Sequence, residues 1–351
     1  MSMKSLLLLV LGGLLCYAAV SVSAQVSEKP TDLEVTKTIK ASEIATDFEL
    51  PITCDRSGNV YLKSESDGVS EVRKITTTGI RATTFSGASC PDIKVQVAAG
   101  LFVSSDERLY QVVYPAEGRY RYVLMFNRDG TCRSEVKLDT PFSFVPYQIV
   151  VFPSGTMLAA GLRWSADREV KAMWPFTALF SSNGSIVKEL VLPDDVAIHK
   201  LGAEGDPRVT RPTNPSSNSA VARGAMRLGS DGNAYLMRRL SPAIVYSISE
   251  SGSVVRRFTV DPGDPGFMPS SMQTAGDRLV VLFRNAQSNR TLLKVVDLAG
   301  HDAAEYVDPM DGGRPHLGLA FACYSNSPDR FTFLSTFDDD RLGLVTAEPR
   351  K

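Results

Sequence analysis

The side chains able to do chemistry are few and scattered. Three histidines, His199, His301 and His316, lie far apart with no metal-ligand spacing, and they read as surface residues. The sequence has no HExxH, GxSxG or GxxxxGK, so zinc-peptidase, nucleophile-elbow and P-loop chemistry find no motif. Two acidic runs, "DPGDPG" (261–266) and "DDD" (338–340), could hold a hard cation through carboxylate oxygens. Neither has EF-hand spacing, and acidic turns without a metal are several times commoner. The cationic side chains recur more regularly. Lys63, Arg163, Arg238 and Arg284 fall just beyond apolar strands, with Trp164 and Asp338 at comparable points. A guanidinium matches a carboxylate in a two-pronged way, so such a set would suit an anionic ligand. The same residues also fit solvated charge where strands meet water.

Positioning these residues requires a scaffold, and the scaffold repeats. "CDRSGNVYL" (54–62) and "LGSDGNAYL" (228–236) nearly duplicate one another, and each is followed some twenty residues later by a second glycine turn, at Gly79 and Gly252. The unit reads strand, turn, strand, longer loop, strand, turn, strand. Weaker copies begin at "VSSDERLYQVV" (103–113), "VFPSGTMLAAG" (151–161) and "QTAGDRLVVLF" (273–283). The second-turn glycines fall at 79, 130, 184, 252 and 300, separated by 51, 54, 68 and 48 residues. Apart from one insertion, that spacing matches propeller repeats of ~40–50 residues. Glycine dipeptides between alternating apolar residues are strong hairpin signals, because glycine supplies positive φ without strain. The expectation is an all-β, six-bladed β-propeller of four-stranded antiparallel blades. The segment "DLEVTKTIK" (32–40) would join the last blade, which otherwise holds three strands within 317–351, and would close the ring.

The ends and the composition bound the setting. Lys4, the apolar stretch 5–20 and "VSA" (22–24) have the pattern of a signal peptide cleaved after Ala24. The apolar core is shorter than the ~20 residues a membrane span needs, and no later segment has that unbroken length. The expected domains are a 1–24 leader and a single propeller over 25–351, with a Pro/Ser/Asn-rich loop insertion at 193–224. The location is then secreted or periplasmic. Residues 25–351 carry 37 basic against 39 acidic residues, which argues against a nucleic-acid partner. Four cysteines remain there, Cys54, Cys90, Cys132 and Cys323; three disulfide connectivities are open, as is a set of free thiols.

"DRSGNVYL" (55–62) and "SDGNAYL" (230–236) resemble the turn and second strand of NHL-type six-bladed propeller repeats. The resemblance implies that sites open on the face carrying the blade-to-blade connections and the loops after the second strands. That face would take Glu49, Gln96, Gln148, Arg223 and His316 from the connections, and Arg163, Trp164, Arg238 and Arg284 from beyond the second strands. Related six-bladed folds include extracellular binding proteins, metal-dependent lactonases and quinone-dependent sugar dehydrogenases, so the fold leaves function open. The expected function is a ligand-binding or protein-interaction module. Its candidate residues are Arg163, Trp164, Arg223, Arg238, Arg284 and His316, and its partner is a small anionic ligand or another extracytoplasmic protein. The alternative is a lactonase-like hydrolase with channel carboxylates around a metal. No cofactor is assigned.

Overall fold

The computed structural model describes residues 30–41, 49–66, 69–115, 120–164, 173–198, 217–308, 317–318, 320–337 and 341–351. The expected leader, 1–24, lies outside them. Strands dominate. β1 (Thr31–Lys40) comes first. A first antiparallel sheet holds β2 (Glu49–Cys54), β3 (Val60–Ser66), β4 (Val69–Ile75) and β5 (Arg81–Ser86). A second holds β6 (Val95–Val103), β7 (Leu109–Pro115), β8 (Arg121–Phe126) and β9 (Cys132–Leu138). The third comprises β10 (Phe144–Val151), β11 (Met157–Trp164), β12 (Met173–Phe180) and β13 (Ile186–Leu190). The fourth comprises β14 (Ala225–Leu228), β15 (Ala234–Arg238), β16 (Ala243–Ile248) and β17 (Val254–Val260). Two further meanders follow: β18 (Phe267–Ala275) to β19 (Arg278–Asn285), β20 (Thr291–Asp297) and β21 (Asp302–Val307), then β22 (Ala320–Asn326), β23 (Asp329–Thr336) and β24 (Leu342–Pro349). A short helix, α1 (Ser217–Ala222), precedes β14.

The arrangement is that of a propeller, but hydrogen bonding does not divide it into six separate sheets. Four sheets have four strands, and one has eight, in the order β18-β19-β20-β21-β1-β24-β23-β22. The merger has a local cause. β1 pairs antiparallel with β24 along most of its length, as ring closure requires, with Leu33 opposite Pro349 and Lys40 opposite Gly343. Its other edge then bridges β21 in parallel at Thr31↔Tyr306 and Asp32↔Val307. Two bridges are enough to fuse what would be neighbouring sheets. The first strands of the six meanders pack in a closed circle, β2 to β6, β10, β14, β18, β22 and back to β2.

Turn chemistry explains the repeated motif. Gly58 and Gly232 take φ of 80° and 81° at matching turn positions. The following Asn and Tyr are held by an aspartate each time, although it comes from a different turn position. Asp55 accepts from the Asn59 amide and the Tyr61 hydroxyl, at 2.9 and 3.1 Å; Asp231 accepts from Asn233 and Tyr235, at 2.7 and 2.8 Å. All five second-turn glycines lie in the left-handed region, with φ between 71° and 92°.

Burial follows strand position within each sheet. β15 and β16, flanked on both edges and covered on both faces, are buried throughout, whereas the outer β17 is exposed almost end to end. Apolar layers between sheets make the core, including a ring cluster in which Phe176 packs edge-on against Phe142 and Phe144 with centroids 4.9 Å apart. Two disulfides cross between meanders. Cys54–Cys323 joins β2 to β22, 269 residues apart, with Cα atoms at 5.6 Å. Cys90–Cys132 ties the loop after β5 to β9, with Cα atoms at 5.3 Å.

Candidate functional site at the centre of the ring

The turns joining first to second strands gather at one end of the ring and border a cavity of about 960 Å³. Asp55–Gly58, Ser104–Ser105, Gly229–Ser230, Ala275–Gly276 and Ser325–Asn326 form its rim, and it extends between β1, β23 and β24 and the first sheet. Arg227 lies deep in this cavity. It sits on β14, second from the turn, and its guanidinium reaches across to β2, which stands opposite β14 in the circle. Nε donates to Gln273 Oε1 at 2.8 Å, Nη1 to the Met226 carbonyl at 2.8 Å and Nη2 to the Ile52 carbonyl at 3.1 Å. Gln273 in turn donates from Nε2 to the Ala322 carbonyl at 2.7 Å. Four first strands, β2, β14, β18 and β22, are thereby tied through one arginine and one glutamine.

The chemistry of that arginine is unusual in one respect. Its partners are neutral carbonyl oxygens, and among the described residues no carboxylate pairs with it. Burial alone pushes its pKa down to about 10, so it stays cationic at neutral pH. A buried charge is ordinarily paired, because leaving it uncompensated is costly. Of five guanidinium N–H groups, the three bonds use one on each nitrogen, leaving one on each terminal nitrogen. That remaining pair is the fork that matches two oxygens of a carboxylate.

The residues expected from the sequence do not line this cavity. Arg163, Trp164, Arg238 and Arg284 lie at the far ends of second strands, away from the turns that border it. Arg163 and Trp164 end β11; Arg163 bonds Glu189 at 3.1 Å and lies over Phe142 and Phe176, while Trp164 is 39% exposed. Trp174, opposite Arg163 in the β11–β12 register, is 38% exposed. Arg223, just after α1, is exposed, and Arg239 beside it has its pKa lowered by burial and then by Arg223. Arg238 does not reach any rim. It is fully buried, with Nη2 donating to Asp195 at 2.9 Å and to Thr177 at 3.1 Å, because the start of the 193–224 insertion folds back over it. Asp195 still has a raised pKa, since burial outweighs the guanidinium. Arg284 donates to the Gly318 carbonyl at 3.0 Å, and burial lowers its pKa. His316 lies outside the described residues. Gln148, expected near the same opening, holds α1 by donating to the Val221 and Ala222 carbonyls at 2.9 and 3.2 Å.

The acidic candidates are partly accounted for. Asp261 and Asp264 each accept from the backbone of their own turn, from Gly263 and Gly266 at 2.8 Å. The run 338–340 lies outside the described residues. His301 pairs with Asp297 at 2.9 Å. Among the described residues, the one cluster of three metal-capable side chains is Cys90, Cys132 and Glu135, and its two sulfurs already share a disulfide. Arg227 and Gln273 are the polar cavity residues that sequence reading did not single out. The available signal was a cation inside "AMRLGSDG", on the innermost strand of a recognised repeat, where alternate residues point to the axis.

No protein-family model matches the chain, and no curated protein matches it by sequence. Solved structures do resemble it in fold. A protein of unknown function from Dyadobacter fermentans superposes with a TM-score of 0.51 at 9% identity, covering 91% of this chain and 99% of that one. A candidate exported protein of Bacteroides fragilis gives a TM-score of 0.50 at 10% identity, covering 91% and 96%. The PQQ-bound aldose sugar dehydrogenase of Streptomyces coelicolor gives 0.46 at 10% identity, covering 92% and 99%. At such identities the likeness is one of fold alone: an all-β chain in a propeller arrangement.

Proposed function

We propose that this chain is an extracytoplasmic six-bladed propeller that binds a small anionic ligand in its central cavity through Arg227. The observation carrying this reading is a half-buried guanidinium with neutral partners, two N–H groups to spare and a large cavity in front of it. An anion entering there would supply the missing countercharge in a site of reduced dielectric, where charge-assisted bonds are strong. The blade count treats the eight-stranded sheet as two blades joined by the β1–β21 bridge, in keeping with six first strands around the circle. Export of 25–351 after loss of 1–24 agrees with two disulfides. At the opposite opening, exposed Trp164 and Arg223 and half-exposed Arg163 form a separate rim able to meet another extracytoplasmic protein.

The test is a thermal-shift titration of the full chain with citrate against matched chloride. A ligand for the native state at 100 times its Kd stabilises by about 2.7 kcal/mol, so a rise in Tm is expected. Arg227→Gln should lose that rise while still folding. No rise with citrate, or an equal rise in the variant, overturns the reading.

A further inference from the structure

Arg227 is one of several cations facing the same cavity. Lys37, Arg56 and Arg330 also line it, against two carboxylates, Asp55 and Glu348. Both carboxylates are already engaged. Asp55 holds its own turn and pairs with Lys74 at 3.3 Å; Glu348 pairs with Arg330 at 2.8 Å. Among the described residues, Lys37 makes a single long bond, 3.4 Å, to the Thr77 carbonyl, and Arg56 is exposed with no acid partner. Among the described residues, three positive charges in this cavity have no carboxylate partner, on a chain whose formal net charge is −1. Arg227 is at the bottom; Arg56 is on the turn at the rim; Lys37 is on the extension along β1. The charges are therefore spread along the cavity rather than gathered at one point. The wall between them is hydroxyl-rich. Eleven of the thirty-one lining residues are serine or threonine. Hydroxyl groups both donate and accept, which suits a ligand that itself carries hydroxyls. The volume stands near the top of the ~300–1,000 Å³ range of small-molecule sites, so a single small anion would leave most of the cavity filled by water.

We infer that the ligand is an acidic oligosaccharide, carrying at least two carboxylates on a polyhydroxylated chain, with one carboxylate on Arg227 and the next toward Arg56 and Lys37. This rests on the anion-binding reading above and names its ligand class. Spaced carboxylates neutralise the three cations, and ring hydroxyls exchange bonds with the serine and threonine wall.

The experiment measures binding of the full chain, by calorimetry at low salt, to three probes. Tetragalacturonate has both charge and hydroxyls; its methyl ester keeps the hydroxyls and loses the charge; tricarballylate keeps three carboxylates and has no hydroxyls. Tetragalacturonate is expected to bind most tightly, with the ester weaker by about tenfold or more, as loss of charge-assisted hydrogen bonds implies. Lys37→Ser and Arg56→Ser, both at exposed positions, should each weaken tetragalacturonate by roughly two- to fivefold with unchanged Tm. Tricarballylate binding as tightly as tetragalacturonate would overturn the saccharide assignment and leave the anion site standing. An ester that binds as well as the acid would overturn both. Binding of tetragalacturonate unaffected by either rim variant would overturn the placement along the cavity.

Discussion

Replacing Arg227 by glutamine separates two roles that one side chain could play, ligand anchor and structural strut. The strut contribution is three hydrogen bonds, to the Ile52 and Met226 carbonyls and to Gln273. Each is worth about 0.5–1.5 kcal/mol net, so their loss destabilises by roughly 2–4 kcal/mol. The opposing contribution is relief of a deep, uncompensated guanidinium, whose effective desolvation penalty is several kcal/mol for a fully buried ion and smaller beside a water-accessible cavity. The two nearly cancel. The expected change is within about 2 kcal/mol of wild type in either direction, or about 3 °C in Tm. Guanidinium denaturation at neutral pH, followed by circular dichroism, gives the free energy, and parallel melts with and without citrate give the ligand response. The variant should unfold close to wild type in chloride and show no response to citrate. A loss of more than about 4 kcal/mol would refute the cancellation. Arg227 would then be a tie-bar for the four first strands, with no uncompensated charge to offer a ligand.

Three further outcomes follow from local geometry. Converting Cys54 and Cys323 to serine opens a loop closed over 269 residues and should cost about 5.6 kcal/mol on chain-entropy grounds, against about 4 kcal/mol for Cys90 with Cys132, 42 residues apart; denaturation of the two double variants checks the order. For Asp194, burial acts to raise the pKa, but hydrogen bonds from Arg257 and Tyr246 win and hold it below the ordinary carboxylate value. Its stabilising contribution is therefore present above the unfolded-state value of ~3.9 and lost as pH falls from there through the folded value. Asp194→Asn should destabilise by roughly 1–3 kcal/mol at pH 7 and flatten the acid limb of a stability–pH curve. Gly184 and Gly232 share positive φ, yet a Cβ at Gly184 meets the Lys137 carbonyl while one at Gly232 meets nothing within 4 Å. Gly232→Ala should cost about 1–2 kcal/mol from backbone strain alone, and Gly184→Ala clearly more, as read by urea melts.

Local turn chemistry made much of the architecture legible. Gly79, Gly130, Gly184, Gly252 and Gly300 announced the second turns because positive φ is required there, and segment 32–40 read as the partner of the last strands. The merging of two meanders into one sheet was not legible, because the β1–β21 bridge joins Thr31 and Asp32 to residues some 275 positions away, and no local pattern encodes such a contact. The partners of the expected cations were hidden for a similar reason. Arg238 and Arg284 were visible as cations at strand ends, but Asp195 and the Gly318 carbonyl, which hold them, come from distant parts of the chain. Arg227 was passed over because an inner-strand arginine looks like a local exception. Only the ring places Ile52 and Gln273 around it.

The pairing of β1 with β24 bears on how the molecule assembles. Thr36 and Thr346, bonded across these strands, are 310 residues apart. Contacts of that separation raise the contact order and slow folding, since the entropy of bringing distant segments together is lost before any contact rewards it. Until β24 is available, β1 lacks its main partner and shows an open edge, the kind of surface on which chains aggregate. The polar run Thr36, Lys37 and Thr38, with its exposed side chains, makes that waiting edge a poor template for a second copy.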